Sequence, residues 1–443
     1  MSVENLLLVI VTTPGAIVLA LGVLWILGVS LSEKFIARLT KFTYLSLSAA
    51  VGGLLLVLAK SGVFVVHKQL GNWFQVAHYG FPLSLRVDAL SLPLIGLTVI
   101  LAGVVGAFSL RYLHRDSGFF RFFLLLHLFT FGALLIFSAD SLDVLIAGWE
   151  LVGITSVLLI GFFQYRRDPA KNALRVFATY RVADLGILIA VFLSHHWYGT
   201  TTWEGLLSGD WPHALSKVHG PAATAMAVLL VFAASGKSAQ IPFCGWLARA
   251  MEGPTPSSAI FYGGISIHAG AYLLLRIQPL IGASTLASCV LVVIGLSTAI
   301  LGTLVHRTCA DAKTSLCYAA QTQIGIIFAE IGMGWPKLAL LHLVGHAILR
   351  TMQFLRTPSM LRDYHRIHAA AGGIPGPTGE HYESLLPTGV QMWLYRLALG
   401  RGFYDSIVDR FVVAPIKKSA SLLSVFEPAW MTKKALLTRH QDS

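Results

Sequence analysis

The chain has 443 residues, of which 55% are hydrophobic and only 12% charged. Soluble domains carry about 25% charged residues, so this chain has too few to cover a water-soluble surface of its size. The net charge of +12 does not indicate nucleic-acid binding, because the basic residues sit in short loops between apolar runs, the pattern of topology signals and lipid headgroup contact.

In chain order, apolar runs long enough to cross a hydrocarbon core predict helices near 5–30, 42–66, 89–110, 120–138, 141–163, 174–196, 221–243, 257–280, 284–305, 313–332 and 337–355. The first is preceded by Glu4 rather than a basic stretch, and reads as a spanning helix instead of a cleavable signal. Lys34, Arg38 and Lys41 follow the first helix, and Arg111, Arg115 and Arg121 the third. Arg166, Arg167, Lys171 and Arg175 follow the fifth, Arg307 and Lys313 the ninth, and Arg356, Arg362 and Arg366 the eleventh. The positive-inside rule then makes the odd-numbered loops cytoplasmic. The expected protein is multi-pass in a bacterial inner membrane, with a periplasmic N-terminus and a cytoplasmic C-terminal tail.

The fold class expected is an all-α polytopic membrane protein of about eleven transmembrane helices. The division is a helix bundle over 1–355 and a cytoplasmic tail over 356–443. The tail opens with the breaker-rich Gly372-Gly373-Ile374-Pro375-Gly376-Pro377. Beyond it, Met392, Trp393, Tyr395, Phe403, Tyr404 and Phe411 alternate with Arg396, Arg401, Arg410, Lys417 and Lys418. These predict amphipathic segments lying on a partner or on the membrane surface. Cys244, Cys289, Cys309 and Cys317 form neither a CxxC nor a Cys/His zinc spacing, so no metal or cofactor is expected in this chain.

Ionisable side chains inside spanning helices are costly and therefore candidates for function. Glu150 lies in Gly148-Trp149-Glu150. Lys237 is bracketed by Gly236 and Pro242, so the helix is expected to break there, freeing carbonyls and admitting water. The two charges are expected to face each other in the bundle interior, either as a coupling pair or as a static ion pair. Arg181 and Asp184, three residues apart on the sixth helix, are placed to pair. His342, His346 and Arg350 form one polar stripe on the eleventh helix, as proton relay or as packing hydrogen bonds. Lys313 and Glu330 stand at opposite ends of the tenth helix, with the lysine either functional or snorkelling to headgroups. His268 lies inside the eighth.

Several of these pieces, in this order, resemble the antiporter-like membrane subunits of respiratory complex I and the Mrp antiporters. The resemblance runs from about Arg86 to Phe354. It rests on Val87-Asp88-Ala89-Leu90-Ser91-Leu92, Arg121-Phe122-Phe123, Gly148-Trp149-Glu150, Arg181-Val182-Ala183-Asp184 and Gln323-Ile324-Gly325. Its most specific run goes from Gly236-Lys237-Ser238-Ala239-Gln240-Ile241-Pro242 to Gly253-Pro254-Thr255-Pro256-Ser257-Ser258-Ala259.

That family implies two inverted five-helix repeats, each with a broken helix, and a Glu–Lys coupling pair at Glu150 and Lys237. Here one repeat is complete and the second is cut short. The family histidine of the eighth helix aligns with Tyr262, with His268 six residues later, and the eleventh-helix lysine is Arg350, which hardly deprotonates. The lateral helix is not evident, although Gly402-Phe403-Tyr404-Asp405 and Val412-Val413-Ala414-Pro415 look like the segment that precedes it. Among these subunits the chain looks most like the membrane subunit of the DAB-type inorganic-carbon uptake complex. The resemblance implies a large cytoplasmic zinc partner related to β-carbonic anhydrases, driven by protons or sodium ions admitted through this chain. The alternative is a subunit of a complex I-like dehydrogenase or an Mrp-type Na+/H+ antiporter.

Overall fold

The computed structural model describes residues 2–62, 65–76, 79–359 and 385–423. Eleven long helices follow one another: α1 (Val3–Ile26), α2 (Glu33–Ser61), α3 (Ser91–Tyr112), α4 (Phe119–Ser138), α5 (Leu142–Ile160) and α6 (Arg167–Tyr198). Then come α7 (Gly220–Lys237), α8 (Thr255–Arg276), α9 (Thr285–His306), α10 (Ala312–Gly332) and α11 (Pro336–Arg356). All but α10 are long and apolar enough to cross a membrane. α10 matches them in length but carries Lys313, Gln321, Gln323 and Glu330. The serines before several helices set their starts. Ser32, Ser141 and Ser284 each accept a backbone N–H from the first turn, as N-cap residues do. α2 begins at Glu33 instead of 42 for that reason, and stops where Gly62 adopts φ +66°.

The structure departs from a plain helix bundle at several points, among them a short pairing of Leu207–Ser208 with Leu215–Ser216. Val66–Val76 and Tyr79–Val87 form an antiparallel hairpin, β1–β2, in the connection before α3. α8 is not a regular helix: Ala259–Gly264 is a π-helical turn and Ser266–His268 a tighter 3₁₀ turn, before regular helix resumes at Ala269. α8 is also wholly buried, with every residue of its span inside the protein. α1 and α9 lie at the periphery and turn apolar residues such as Leu19, Val23, Val293 and Ile300 outward, as a bilayer-facing surface requires.

The helices approach closely at glycine pairs. A Cβ on Gly295 of α9 would collide with the Gly325 carbonyl of α10, and one on Gly325 would stand 2.5 Å from the Gly295 carbonyl. The same arrangement joins α4 and α5, where a Cβ on Gly148 would stand 2.5 Å from the Gly132 carbonyl. Without a hydrophobic drive between helices in lipid, such backbone contact is a main source of association.

Beyond α11, the tail forms α12 (Thr388–Leu399), α13 (Tyr404–Val408) and α14 (Ala414–Leu423). Leu386, Met392, Leu394 and Tyr395 border a cavity of about 510 Å³ against Leu304, Arg307 and Thr308 at the end of α9. Asp409 pairs with Arg175 of α6. Arg362, Arg366 and the linker Gly372–Pro377 lie outside the described residues.

A buried ion cluster clamps one end of the bundle. Arg276, the last residue of α8, grips Asp88 with both Nη atoms, the Nη2–Oδ1 bond being 3.0 Å. Arg86 Nε adds a third bond to Asp88 at 3.0 Å. Asp88 also caps α3, accepting from the Leu90 and Ser91 amides at 3.1 and 3.0 Å. Burial alone would raise the Asp88 carboxyl, but Arg276 and then Arg86 hold it well below the usual carboxylate range. A carboxyl depressed by folding contributes stability above its unfolded pKa near about 4, lost only as pH falls through the lower folded value. Asp88→Ala would leave the buried Arg276 without its counter-charge, while Arg86 keeps Asp210 at 2.9 Å, at a cost of about 3–5 kcal/mol. We expect it to lower the melting temperature in detergent by several degrees, equally at pH 6 and pH 8. A variant that melts with the wild type would show the cluster to be dispensable.

Candidate ion-pathway site

The first cluster is assembled from α5, α6 and the end of α7. Arg181 Nη2 reaches Glu150 Oε2 at 2.5 Å and Asp184 Oδ2 at 2.8 Å. Asp184 Oδ1 accepts from the Trp149 indole N–H at 2.7 Å. Lys237, only 1% exposed, donates from Nζ to the Trp149 carbonyl at 3.1 Å. The same ammonium stands 4.9 Å from the centre of the Trp149 ring and 4.6 Å from that of Tyr180, close enough for cation–π attraction.

Glu150 and Lys237 thus belong to one cluster, but not as a direct ion pair. Among the described residues Lys237 makes no direct ion pair, and Arg181 holds both carboxylates. The reason lies in the donors: a guanidinium fork serves two acceptors at once, whereas an ammonium is a compact point charge that here one carbonyl and two ring faces accommodate. Gly153 makes room for it, since a Cβ there would sit 3.1 Å from Lys237 Nζ and 3.8 Å from Arg181 Nη2.

The chain does break after Lys237, but the freed backbone groups are taken by side chains. Gln321 Nε2 of α10 donates to the Ala239 carbonyl at 2.5 Å and to the Cys244 carbonyl at 3.0 Å. Trp246 Nε1 donates to the Gly236 carbonyl at 2.9 Å. The Ile241 amide donates to Thr298 Oγ1 of α9 at 3.0 Å. The expectation of free carbonyls is thus corrected at Gly236, Ala239 and Cys244. A string of hydroxyls leads away from the lysine: Tyr180, Ser156 and Tyr262 are spaced at 3.5 and 3.1 Å.

The second cluster joins α8, α10 and α11. His268 Nε2 and His346 Nδ1 are 2.9 Å apart. His342 Nδ1 lies 3.0 and 3.2 Å from the two oxygens of Glu330, and its Nε2 lies 3.0 Å from Gln323 Oε1. The predicted stripe of His342, His346 and Arg350 is therefore one face with two sets of partners. Arg350 is buried, and among the described residues it makes no ion pair. Lys313 joins neither cluster. Its Nζ donates to the Met251 and Gly253 carbonyls at 2.9 and 3.0 Å, tying the loop before α8 to the start of α10. Among the described residues no group of three or more His, Cys, Asp or Glu is placed to hold a metal ion.

Residues 139–371 match the profile of the family described as NADH:quinone oxidoreductase/Mrp antiporter, TM, and residues 73–123 that of NADH-ubiquinone oxidoreductase (complex I), chain 5 N-terminus. The first match covers more than half of the chain. The chain belongs to this family of antiporter-like membrane subunits. It is a multi-pass integral membrane protein. NADH-quinone oxidoreductase subunit L of Mycobacterium tuberculosis is 32% identical over 320 residues, 71% of this chain and 50% of that protein. Subunit L of Campylobacter jejuni is 36% identical over 287 residues, 65% of this chain and 46% of that one. The probable inorganic carbon transporter subunit DabB1 of Halothiobacillus neapolitanus is 33% identical over 345 residues, 76% of this chain and 60% of that one. The chain spans about half the length of the two L subunits. A chain of the Mrp complex from Dietzia sp. DQ12-45-1b superposes with a TM-score of 0.65 at 29% identity, covering 78% of this chain and 37% of that chain.

Arg181 is the hinge of the first cluster, so its removal tests the geometry directly. Arg181→Ala removes the guanidinium shared by Glu150 and Asp184 and leaves buried Asp184 one charge-assisted hydrogen bond short, at a cost of about 1–3 kcal/mol. Removing the carboxylate as well, in Arg181→Ala with Asp184→Ala, should recover part of that loss. Melting curves of the purified variants read this, and strictly additive losses would mean that the two side chains are not coupled.

Proposed function

We propose that this chain is the membrane subunit of an energy-coupled inorganic-carbon uptake complex in a bacterial inner membrane. It passes protons or sodium ions down their gradient and so drives a large cytoplasmic zinc partner related to β-carbonic anhydrases. The observation that carries ion passage is the buried Lys237 ammonium, held 3.1 Å from the Trp149 carbonyl beside the Glu150–Arg181–Asp184 triad. A lone lysine in that position would be costly in hydrocarbon, and the neighbouring carboxylates give it a reason to hold and then release charge as they move or protonate. The similarity to the probable inorganic carbon transporter subunit supports the choice of complex. The zinc chemistry is assigned to the partner.

The partner is placed on the cytoplasmic side, with the N-terminus of this chain periplasmic. Support comes from the tail, where Trp393 and Phe411 are 61% and 69% exposed, an apolar display that commonly marks a binding surface. A second reading has comparable support from the L subunits: a proton-translocating subunit of a quinone oxidoreductase or of an Mrp-type antiporter.

Growth at low CO2 in the host distinguishes these readings. Lys237→Ala should abolish inorganic-carbon accumulation while the protein still inserts, and an uncoupler should do the same to the wild type. Uptake at full rate with the gradient shown to be collapsed would refute the proposal. Purification from the native host should bring down a zinc protein; recovery of quinone-reducing or iron–sulfur subunits instead would establish the second reading. A chain ending at residue 384 should insert normally but lose the partner to the soluble fraction.

A further inference from the structure

We infer that the cavity between α12 and the end of α9 is a binding site for one anionic phospholipid, with an acyl chain inside it and the phosphate at Arg307. The inference goes beyond the ion-passage reading and does not rest on it. Spacing along α9 leads to the site. Val293, Leu296 and Ile300 are exposed and share one face at helical spacing, the face that α9 turns to the bilayer. Leu304, four residues after Ile300, carries that row into the cavity wall, and Arg307 and Thr308 follow where the helix ends. The lipid-facing surface of α9 thus continues into the cavity.

The opposite wall is one face of α12. Gln391, Leu394, Tyr395 and Ala398 stand at i, i+3, i+4 and i+7, with Leu386 and Met392 beside them. The turn that follows seats this helix on α9. Gly402 there has φ +67°, and a Cβ on it would stand 3.0 Å from Leu301 Cδ1. α12 is therefore held at its C-terminal end, and about 510 Å³ opens between the two helices. Protein interiors hold few voids larger than a water molecule, and an apolar space stays dry. The walls here are mainly Leu304, Leu386, Met392, Leu394 and Ala398. The matter that fits is an apolar chain, and the acyl chains beside Ile300 are the nearest source.

Charge at the end of α9 selects the headgroup. Arg307 is exposed and lines the cavity, and Arg396 and Arg401 are exposed on α12 and on the turn after it. Among the described residues no carboxylate lines the cavity. Asp311, the nearest along the chain, is engaged as the cap of α10, accepting from the Thr314 amide and hydroxyl at 2.8 and 2.9 Å. A guanidinium fork matches phosphate oxygens, and basic residues at the ends of spanning helices attract anionic headgroups. A zwitterionic headgroup would bring a second cation to the three arginines. Tyr395 adds an aromatic ring of the kind that sits at headgroup level. Trp393 lies on the other side of α12, so the face assigned to the partner above stays open.

The test uses the full chain, with the subunits it assembles with, in phosphatidylcholine nanodiscs holding a trace of phosphatidylglycerol that bears a photoreactive diazirine in its acyl chain. After illumination, peptides carrying Leu304–Thr308 and Leu386–Ala398 should be labelled. Excess unlabelled phosphatidylglycerol should lower that labelling at least fivefold, and the same excess of phosphatidylcholine should leave it within twofold. Arg307→Gln should keep the labelling but lose the preference, so that both lipids compete alike. Ala398→Trp, which fills the cavity, should remove labelling from these two peptides and leave that of α1 unchanged. If Ala398→Trp fails to assemble, Arg307→Gln and the wild-type competition still decide. Absence of label from both peptides overturns the inference, as does label seen only after the other subunits are stripped away, which would make the occupant a protein. Equal competition by both lipids in the wild type overturns it too, and so does a preference that survives Arg307→Gln.

Discussion

Trp149 is held at both ends by charge. Its indole N–H donates to Asp184 and its carbonyl accepts from Lys237, so one residue fixes the distance between the carboxylate side of the cluster and the ammonium side. Everything around it serves that placement. Gly148, one residue before, lets α5 lie against α4; Gly153, one turn later, leaves space for the amine. Arg181 then bridges the two carboxylates without competing for the lysine, and the two cations together balance the two carboxylates. Each of these charges would be expensive alone in a lipid environment, and the arrangement lets all four coexist with a single tryptophan as their common reference point.

The broken helix follows from the same demand. A backbone interrupted within a membrane must find partners inside the protein, and it finds them in Gln321, Thr298 and Trp246. The consequence is that α9 and α10 are coupled to the break through side-chain hydrogen bonds. The ion cluster at Asp88 performs a comparable task at the other end of α8. It joins that helix to the hairpin and to the start of α3, and Arg276 also donates to Tyr272, whose hydroxyl reaches the Phe137 carbonyl of α4 at 3.0 Å.

Long apolar runs made most of the helices legible, and Gly236 with Pro242 marked the break at Lys237. The neighbours Arg181 and Asp184 could be paired by spacing along one helix. What spacing could not supply was the third member, because Glu150 comes from another helix and two acceptors suited the same guanidinium equally well. The hairpin Val66–Val87 was hidden for a different reason. Its polar residues, such as His67, Lys68 and Gln69, follow the second apolar run and read as connection rather than strand, and its pairing shifts register near Gly71. The irregular turn of α8 left little mark, since its residues are as apolar as those of a regular helix. The displaced histidine at 268, six residues from Tyr262, was the one available signal. Gln321 was similarly silent: a single amide on an apolar helix does not announce which backbone it will serve.

The glycine crossings have a mechanical consequence. Where Gly132 meets Gly148, and Gly295 meets Gly325, main chain rests on main chain with no side chain between to slide or change rotamer. The pairs α4–α5 and α9–α10 therefore behave as two stiff beams. The same closeness seats α8 on α7, where a Cβ on Gly270 would stand 2.5 Å from the Ala234 carbonyl. A side chain larger than glycine at any of these crossings would therefore push two helices apart rather than be absorbed by a change of rotamer.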